Sequence, residues 1–581
     1  MRYFYLFSYL TIAGLFSWPF LRTGNFLGIA DWDQHLFYHG SFVKSLVEFG
    51  QLPFWNPWYC GGNVLWSNPQ VALLSPAYLL SLLMPLAMAF KVNIVLHYLL
   101  CFAGMHLLLT RIVGIRSFFV VLFLNTAYTL SGGIALHLAV GHTTFLPFLY
   151  IPWVFYFFLL SMERGRAVPA GAAGCVIGIM LLNGGFNPVA LLLVTMLVLT
   201  GLFTLLRGNM TAIKALAIAG VFAFLFSAPK LIPAYMFTQS DFTVDARTGT
   251  DISDHVPDEV IVQSLLKRKQ RVEDKVHPRQ RAGWHEYGNY AGRLLPVMFL
   301  AGLVFGLVRF RKYRTGYMLP FLITGLFLLL MTKGAAPYFP YTYLKQLPLF
   351  DQFRMPGRYI LMVVFCMVLA VGFAWRHLRS FPGRSRKVRA GIAVLMLAGM
   401  VDIVDANRRY LGRAFPYQPA IREAPAGEPI RFDTESSPWV GGSPMYTSMV
   451  NNRSMVQCYE PIQSLMAWEK NRDLVYAIGP RPEFKEFRFS QNAISVKLVN
   501  SRPVRLAVNQ NFNHGWKVAI GDTIQSPARG LAIDIPEGES TVRFEFFPPY
   551  LGAGVSLFMV GILLLGLLLW KERRESAAAS K

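Results

Sequence analysis

Charge is what this sequence has least of. Only 15% of its 581 residues are Asp, Glu, Lys or Arg, against about a quarter in an ordinary soluble domain. The deficit is concentrated, since stretches such as 215–228 and 555–570 carry no charge at all. A membrane-spanning helix needs about 20 mostly apolar residues to cross a hydrocarbon core about 30 Å thick, so each such run is a candidate span and a wholly soluble fold is excluded. Cysteine is also scarce: the five present form neither a metal-binding nor a disulfide-framework spacing. Cys101, Cys175 and Cys366 lie in apolar runs and read as small core hydrophobes. Cys60 and Cys458 fall in segments read below as external, where an oxidising compartment would let them pair; sequence leaves this open. No GxxxxGK[ST], GxSxG, HExxH or CxxC pattern occurs, so no nucleotide cofactor or nucleotide-driven engine is expected. The apolar N-terminus, 1–20, lacks a small-residue cleavage site and is expected to be a retained first span.

The net charge of +23 does not point to nucleic acid, because the basic residues sit in short segments between apolar runs. Spans are expected near 3–20, 91–110, 117–137, 143–161, 167–183, 186–206, 211–230, 291–309, 315–332, 358–375, 390–407 and 551–570. Residues 71–90 are apolar enough to span but contain Pro76 and Pro85. If they do not span, the Lys- and Arg-rich loops at 111–116, 163–166, 207–214, 309–314, 376–389 and 571–574 share one side, which is then cytoplasmic. If they span, the loops disagree. The expected arrangement is therefore a polytopic α-helical protein of the inner membrane with twelve spans and both termini cytoplasmic. Residues 1–407 form the transmembrane module, with external loops at 21–90 and 235–291 and a shorter one at 333–357. Residues 408–550 form an external β-rich domain, and 551–581 the last span and tail. Alternation in 493–499, 504–508, 531–535 and 541–546 predicts strands of a β-sandwich, with a hairpin signal at Glu537-Gly538-Glu539.

The first external loop carries the densest chemistry. Asp31-Trp32-Asp33 follows span one, and on a strand residues two apart face one side, so both carboxylates are expected to meet one substrate or cation. A helical pattern follows from His35 to Phe49. Then come Trp55, Asn56, Gly61-Gly62, Asn68 and Gln70, where aromatic faces and amides suit a sugar ring; an interfacial aromatic belt is the competing reading. Arg354 and Arg358, spaced i and i+4, share a face on a helix and offer planar forks to a phosphate at a position that runs against the inside bias of the basic loops; lipid head-group contact or pairing with Asp351 is the structural alternative. His142 and Glu286 are polar groups near span ends, suited to binding an acceptor or assisting a base. Lys333 and Arg293 are weaker phosphate ligands, and Asp402 and Asp405 are expected to be structural.

The stretch from Asp31 through Leu52-Pro-Phe-Trp-Asn-Pro, Gly61-Gly62 and Asn68-Pro-Gln resembles the YfhO-like membrane proteins, grouped with the GT-C glycosyltransferases. Gly141-His142, His285-Glu286-Tyr287 with Tyr290-Ala291-Gly292, Leu347-Pro-Leu-Phe-Asp-Gln-Phe-Arg-Met-Pro-Gly-Arg, Phe512-Asn-His-Gly-Trp-Lys and Phe546-Phe-Pro-Pro extend the resemblance in order along nearly the whole chain, while 412–480 has no counterpart. The resemblance implies transfer of a sugar from a polyprenyl-phosphate donor to an external glycan, lipid or protein acceptor. It implies a first-loop carboxylate as base or as ligand to Mg²⁺ or Mn²⁺. Two aspartates stand where one is commoner, which leaves open whether Asp31 or Asp33 is the base and which the metal ligand. A transporter or flippase of a lipid-linked glycan and a non-catalytic scaffold are the competing functions. Against the transporter, the polar motifs lie outside the bilayer rather than at its midplane.

Overall fold

Apolar length sets the first layer of structure. The computed structural model describes residues 2–240, 255–278, 280, 282–308, 316–335, 338–347, 350, 355–378, 385–419, 430–434, 437, 441–459, 468–469, 472–528 and 530–579. A helix lies within each expected span. Among the described residues, eight helices are long and apolar enough to cross a membrane: Tyr3–Leu21, Leu86–Ile112, Phe118–Ala139, Thr143–Arg164, Phe186–Arg207, Thr211–Gln239, Pro356–His377 and Leu551–Ala578. Ala167–Leu182, Leu294–Gly306 and Met318–Met331 are shorter apolar helices, and Arg386–Gly412 is a 27-residue helix with basic residues at both ends. The helix at 118–137 is broken after Thr129 and restarts at Gly132.

Residues 71–90 do not form a spanning helix. Pro76 opens a five-residue helix, Pro76–Leu80, whose N-terminus is capped by the Ser75 side chain on Ala77 N–H. Pro85 then starts the Leu86–Leu107 helix instead of continuing the earlier one, as proline's missing N–H and fixed φ favour. Leu79, Leu82 and Leu83 are left exposed, an apolar tip suited to dip into a bilayer.

The late strands form two antiparallel sheets. One has five strands in the order Thr523–Gln525, Trp516–Ile520, Gly538–Phe546, Ala493–Asn500, Glu483–Ser490; the other has three, Ala532–Ile535, Val504–Val508, Val475–Ile478. Period-two alternation buries Ile494, Val496 and Leu498 on one face, with Val518, Val542, Phe544 and Leu506 in the same core. The segment around Gly538 is not a hairpin. Ala532–Ile535 pairs with Val504–Val508 while Gly538–Phe546 pairs with Ala493–Asn500, so the chain crosses between sheets there; Gly538 at φ +117° supplies the backbone turn.

Residues 51–66, after the Trp32–Phe49 helix, are built into this same core. Trp55 packs on Trp516 and Phe546, with ring centroids at 5.2 and 4.8 Å, and its indole N–H donates to Gln510 Oε1 at 3.0 Å. Asn492 Oδ1 accepts from Trp55 N–H, and Asn511 Nδ2 donates to the Gly62 carbonyl. Gly62, at φ +101°, lies so close to Gln510 that a Cβ would be 2.1 Å from its Oε1. Cys60 and Cys458 form a disulfide across 398 residues. Each fully buried Trp or Tyr here contributes about 2–3 kcal/mol through area removed from water.

Candidate active site

Backbone contacts position Asp31. After the first helix, Leu27 and Tyr417 exchange main-chain hydrogen bonds, Ile29 N–H donates to Ala414 O at 3.0 Å, and Asp31 N–H donates to Val140 O at 3.0 Å. Gly141, at φ +90°, then passes so close that a Cβ would lie 2.1 Å from Trp32 N. This contact sets the next residue, His142, beside the carboxylate: His142 Nε2 is 3.2 Å from Asp31 Oδ2. The other carboxylate oxygen is occupied as well, since Tyr459 Oη donates to Asp31 Oδ1 at 2.5 Å.

Behind His142 lies a second layer of polar groups. His142 Nδ1 is 2.9 Å from His137 Nδ1, so one imidazole donates and the other accepts. His285 packs edge-on to His142 with ring centroids at 5.4 Å. Glu286, in the short Trp284–Tyr287 turn, receives both prongs of Arg358: Nε donates to Oε2 at 2.6 Å and a terminal nitrogen to Oε1 at 2.7 Å. The remaining guanidinium nitrogen reaches Asn187 Oδ1 at 3.3 Å, and the guanidinium lies over the Phe145 ring at 5.1 Å.

Electrostatics follow from these partners. Burial raises the Asp31 carboxyl, but the His142 hydrogen bond and charge, with the Tyr459 phenol, outweigh it and hold the group at about 2. Burial works against a charged His142, and the hydrogen bond and charge of Asp31 overcome it, raising that imidazole above its ordinary value. Glu286 is held well below the carboxylate range, because the Arg358 charge and hydrogen bonds exceed the cost of burial. His285 is pushed down to about 4, chiefly by burial. At neutral pH the site thus presents an ionised Asp31 against His142, with Glu286 and Arg358 neutralising each other.

The sequence-derived residues divide between this site and the core. Asp31 and His142 meet directly, and Glu286 and Arg358 stand behind them. Asp33 does not join Asp31. Residues 32–49 are a helix rather than a strand, which separates the two carboxylates, and both Asp33 oxygens accept backbone N–H groups, from Tyr446 and Met445, at 2.9 Å. They serve the N-terminus of the Pro444–Val450 helix, whose own N-cap residue, Ser443, makes no side-chain bond. Burial pushes the Asp33 carboxyl up to about 6 against these two donors. The expected shared cation site at Asp31 and Asp33 is therefore not assembled.

Nor do the loop aromatics and amides form an open sugar platform. Trp55, Asn56 and Asn68 are each 1% exposed. Asn56 Oδ1 accepts from Trp58 N–H; Asn68 donates to Tyr38 Oη and accepts from Gln70 N–H. Gln70 borders a small cavity with His39, His97, Thr143 and Asn183. Arg354 and Asp351 lie outside the described residues. Lys333 pairs with Asp258, and Asp402 and Asp405 grip Arg268 at 2.7 Å each.

Sequence reasoning missed His137, Tyr459 and Asn187. His137 sits inside an apolar helix and Tyr459 in a segment without a recognisable pattern, so neither had a signal; Asn187, near a span end, had a weak one. His137, His142 and Glu286 place one ligand atom each within 4.8 Å of one another. Two imidazoles and a carboxylate suit Mn²⁺ better than Mg²⁺, which prefers oxygen. All three are already engaged, by each other or by Arg358, so a cation would have to open those bonds.

No protein-family model matches the chain and no curated protein matches it. Among solved structures it is similar to the arabinofuranosyltransferase AftD from Mycobacteria, at 13% identity over 72% of this chain with a TM-score of 0.45; this chain spans 27% of that one. It is similar to the oligosaccharyltransferase AglB from Archaeoglobus fulgidus, solved with an inhibitory peptide and a dolichol-phosphate, at 12% identity over 81% of this chain and 66% of that one, TM-score 0.45. It is similar also to ArnT from Cupriavidus metallidurans, solved with undecaprenyl phosphate, at 12% identity over 78% of this chain and 86% of that one, TM-score 0.42.

Proposed function

We propose that this chain is a membrane glycosyltransferase that moves a sugar from a polyprenyl-phosphate donor to a hydroxyl of an extracytoplasmic glycan, lipid or protein. The observation that carries the reading is Asp31: an ionised carboxylate at the start of the Trp32–Phe49 helix, held by one donor on each oxygen. The acceptor hydroxyl gives its proton to Asp31 as its oxygen attacks the anomeric carbon. The new C–O bond forms as the bond from that carbon to the phosphate oxygen breaks, and the phosphate leaves with the electron pair. His142, whose imidazole Asp31 raises above its ordinary value, offers compensating positive charge when protonated. Arg358 is committed to Glu286 and acts by fixing that carboxylate behind the histidines. If a divalent cation takes part, His137, His142 and Glu286 are the residues to hold it, and it would supply charge stabilisation for the leaving phosphate. Both termini are cytoplasmic in this reading, with the β-rich region outside.

The test is sugar transfer by the purified chain in nanodiscs from a panel of radiolabelled polyprenyl-phosphate sugars, comparing the native protein with Asp31→Asn. Transfer by the native chain that falls at least about 100-fold in the variant, with folding intact, supports the reading. Donor translocation without transfer would replace it with a flippase.

A further inference from the structure

Tyr459 comes to the site from the far end of the chain, through a series of ties to the first external loop. Asp33 holds the N–H groups of Met445 and Tyr446. Ser454 Oγ donates to Pro57 O at 2.8 Å, and Cys60 N–H donates to Met455 O at 2.7 Å. Cys458 is bonded covalently to Cys60, and the next residue, Tyr459, donates its own N–H to Tyr59 Oη at 3.0 Å. The segment from 445 to 459 is thus laced onto residues 33–60, and its last described residue delivers a phenol to Asp31 Oδ1.

A side chain whose main chain is held by a covalent bond one residue earlier, and by a hydrogen bond at its own nitrogen, is pre-organised. That argues against a loose cover over the site. Asp31 is faced by His142, His35 and His285, by Arg358 and by Tyr459. Of these, His142 and Tyr459 bond the carboxylate directly, one at each oxygen, and together they select one orientation of its plane.

We propose that Tyr459 is a positioning residue for Asp31, and that the Cys60–Cys458 disulfide is the latch that keeps it there, so that the site is assembled only when the outer compartment has oxidised the two thiols. The kinetic part of this proposal rests on the glycosyltransferase reading; the structural part does not. Opening the latch is a two-electron reduction: a dithiol such as dithiothreitol gives two electrons and two protons to the disulfide, leaves two cysteine thiols, and becomes a cyclic disulfide itself.

The experiment uses the full chain in nanodiscs with tyrosines ¹³C-labelled at Cζ. The resonance that vanishes in Tyr459→Phe reports the phenol. Asp31→Ala is expected to move it, and dithiothreitol, or Cys458→Ala as a second route, is expected to move or broaden it while most other tyrosine signals stay in place. A Tyr459 signal unchanged by both treatments of the disulfide overturns the latch; one unchanged by Asp31→Ala overturns the contact. Both outcomes are readable in an enzymatically silent protein, in which case it is the transferase reading that fails. Where transfer is measurable, Tyr459→Phe is expected to lower kcat about 10- to 100-fold, the range for a hydrogen bond to a charged group, with acceptor KM unchanged. Opening the disulfide in that variant should add no further loss. A fall in acceptor KM with kcat retained would make Tyr459 an obstacle to the acceptor and overturn the proposal.

Discussion

Removing the carboxylate from the Glu286–Arg358 pair is the sharpest test of the site's electrostatic design. Glu286 is 4% exposed and takes two charge-assisted hydrogen bonds from one guanidinium. Glu286→Gln keeps the volume but leaves Arg358 with one amide oxygen in place of a charged, two-pronged partner. Breaking a buried pair from one side costs about 3–5 kcal/mol, because the surviving charge is left without compensation. Replacing both partners by uncharged residues of similar size is often neutral. Glu286→Gln should therefore destabilise the protein by about 3–5 kcal/mol, and Glu286→Gln with Arg358→Met should recover most of it. The assay is reversible unfolding in mixed micelles of increasing denaturing-detergent fraction, with the native chain, both single variants and the double variant compared as a cycle. A loss below about 1 kcal/mol in the single variant, or a double variant no more stable than the single, would refute the argument that Arg358 is spent on Glu286. It would also return Arg358 to the role of a phosphate ligand.

Further outcomes follow from other contacts. Gly141→Ala should part Asp31 from His142, since its Cβ would meet Trp32 N at 2.1 Å in a left-handed backbone; transfer should fall with Asp31 and His142 both still present. Asp33 titrates near 6 in the folded chain against about 3.9 when unfolded, so the native state holds the proton more tightly. Its contribution is full below pH about 4 and is lost as pH rises through about 6, a swing of about 3 kcal/mol; a pH series of stability in Asp33→Asn should lack this slope. Lys230 Nζ donates to the Trp66 and Asn68 carbonyls, so Lys230→Met should leave both without that donor, lower stability by about 1–3 kcal/mol per carbonyl left without a partner, and loosen residues 54–70, as read by faster amide exchange there.

The sequence made some features easy to read and hid others, for reasons visible in particular residues. Apolar runs revealed the helices because lipid and protein core ask for the same residues, but the same likeness blurred which helices cross, as the short Ala167–Leu182 and Leu294–Gly306 segments illustrate. Asp31 and His142 stood out as polar groups at helix ends; their meeting depended on a glycine contact that no spacing encodes. Asp33 was assigned to Asp31's face because a strand was assumed where a helix begins. The Trp- and Asn-rich loop looked like a ligand surface because a sugar platform and a core built from two distant segments use the same side chains; Trp55 against Trp516 is invisible until both are placed. Glu286 and Arg358 were each legible as polar outliers, yet their mutual neutralisation was not, since the pair spans 72 positions.

The shared core of the first loop and the β-rich region also dictates an order of events during biosynthesis. Cys60 emerges 398 residues before its partner, and Trp55 emerges still earlier than the strands that cover it. At a synthesis rate of about 5–20 residues per second, the loop waits about 20–80 s. Throughout that interval it presents bare indole rings and an unpaired thiol. A factor that shields aromatic surface or keeps Cys60 from pairing wrongly would matter in this window alone, and would have no role once the last helix had been inserted.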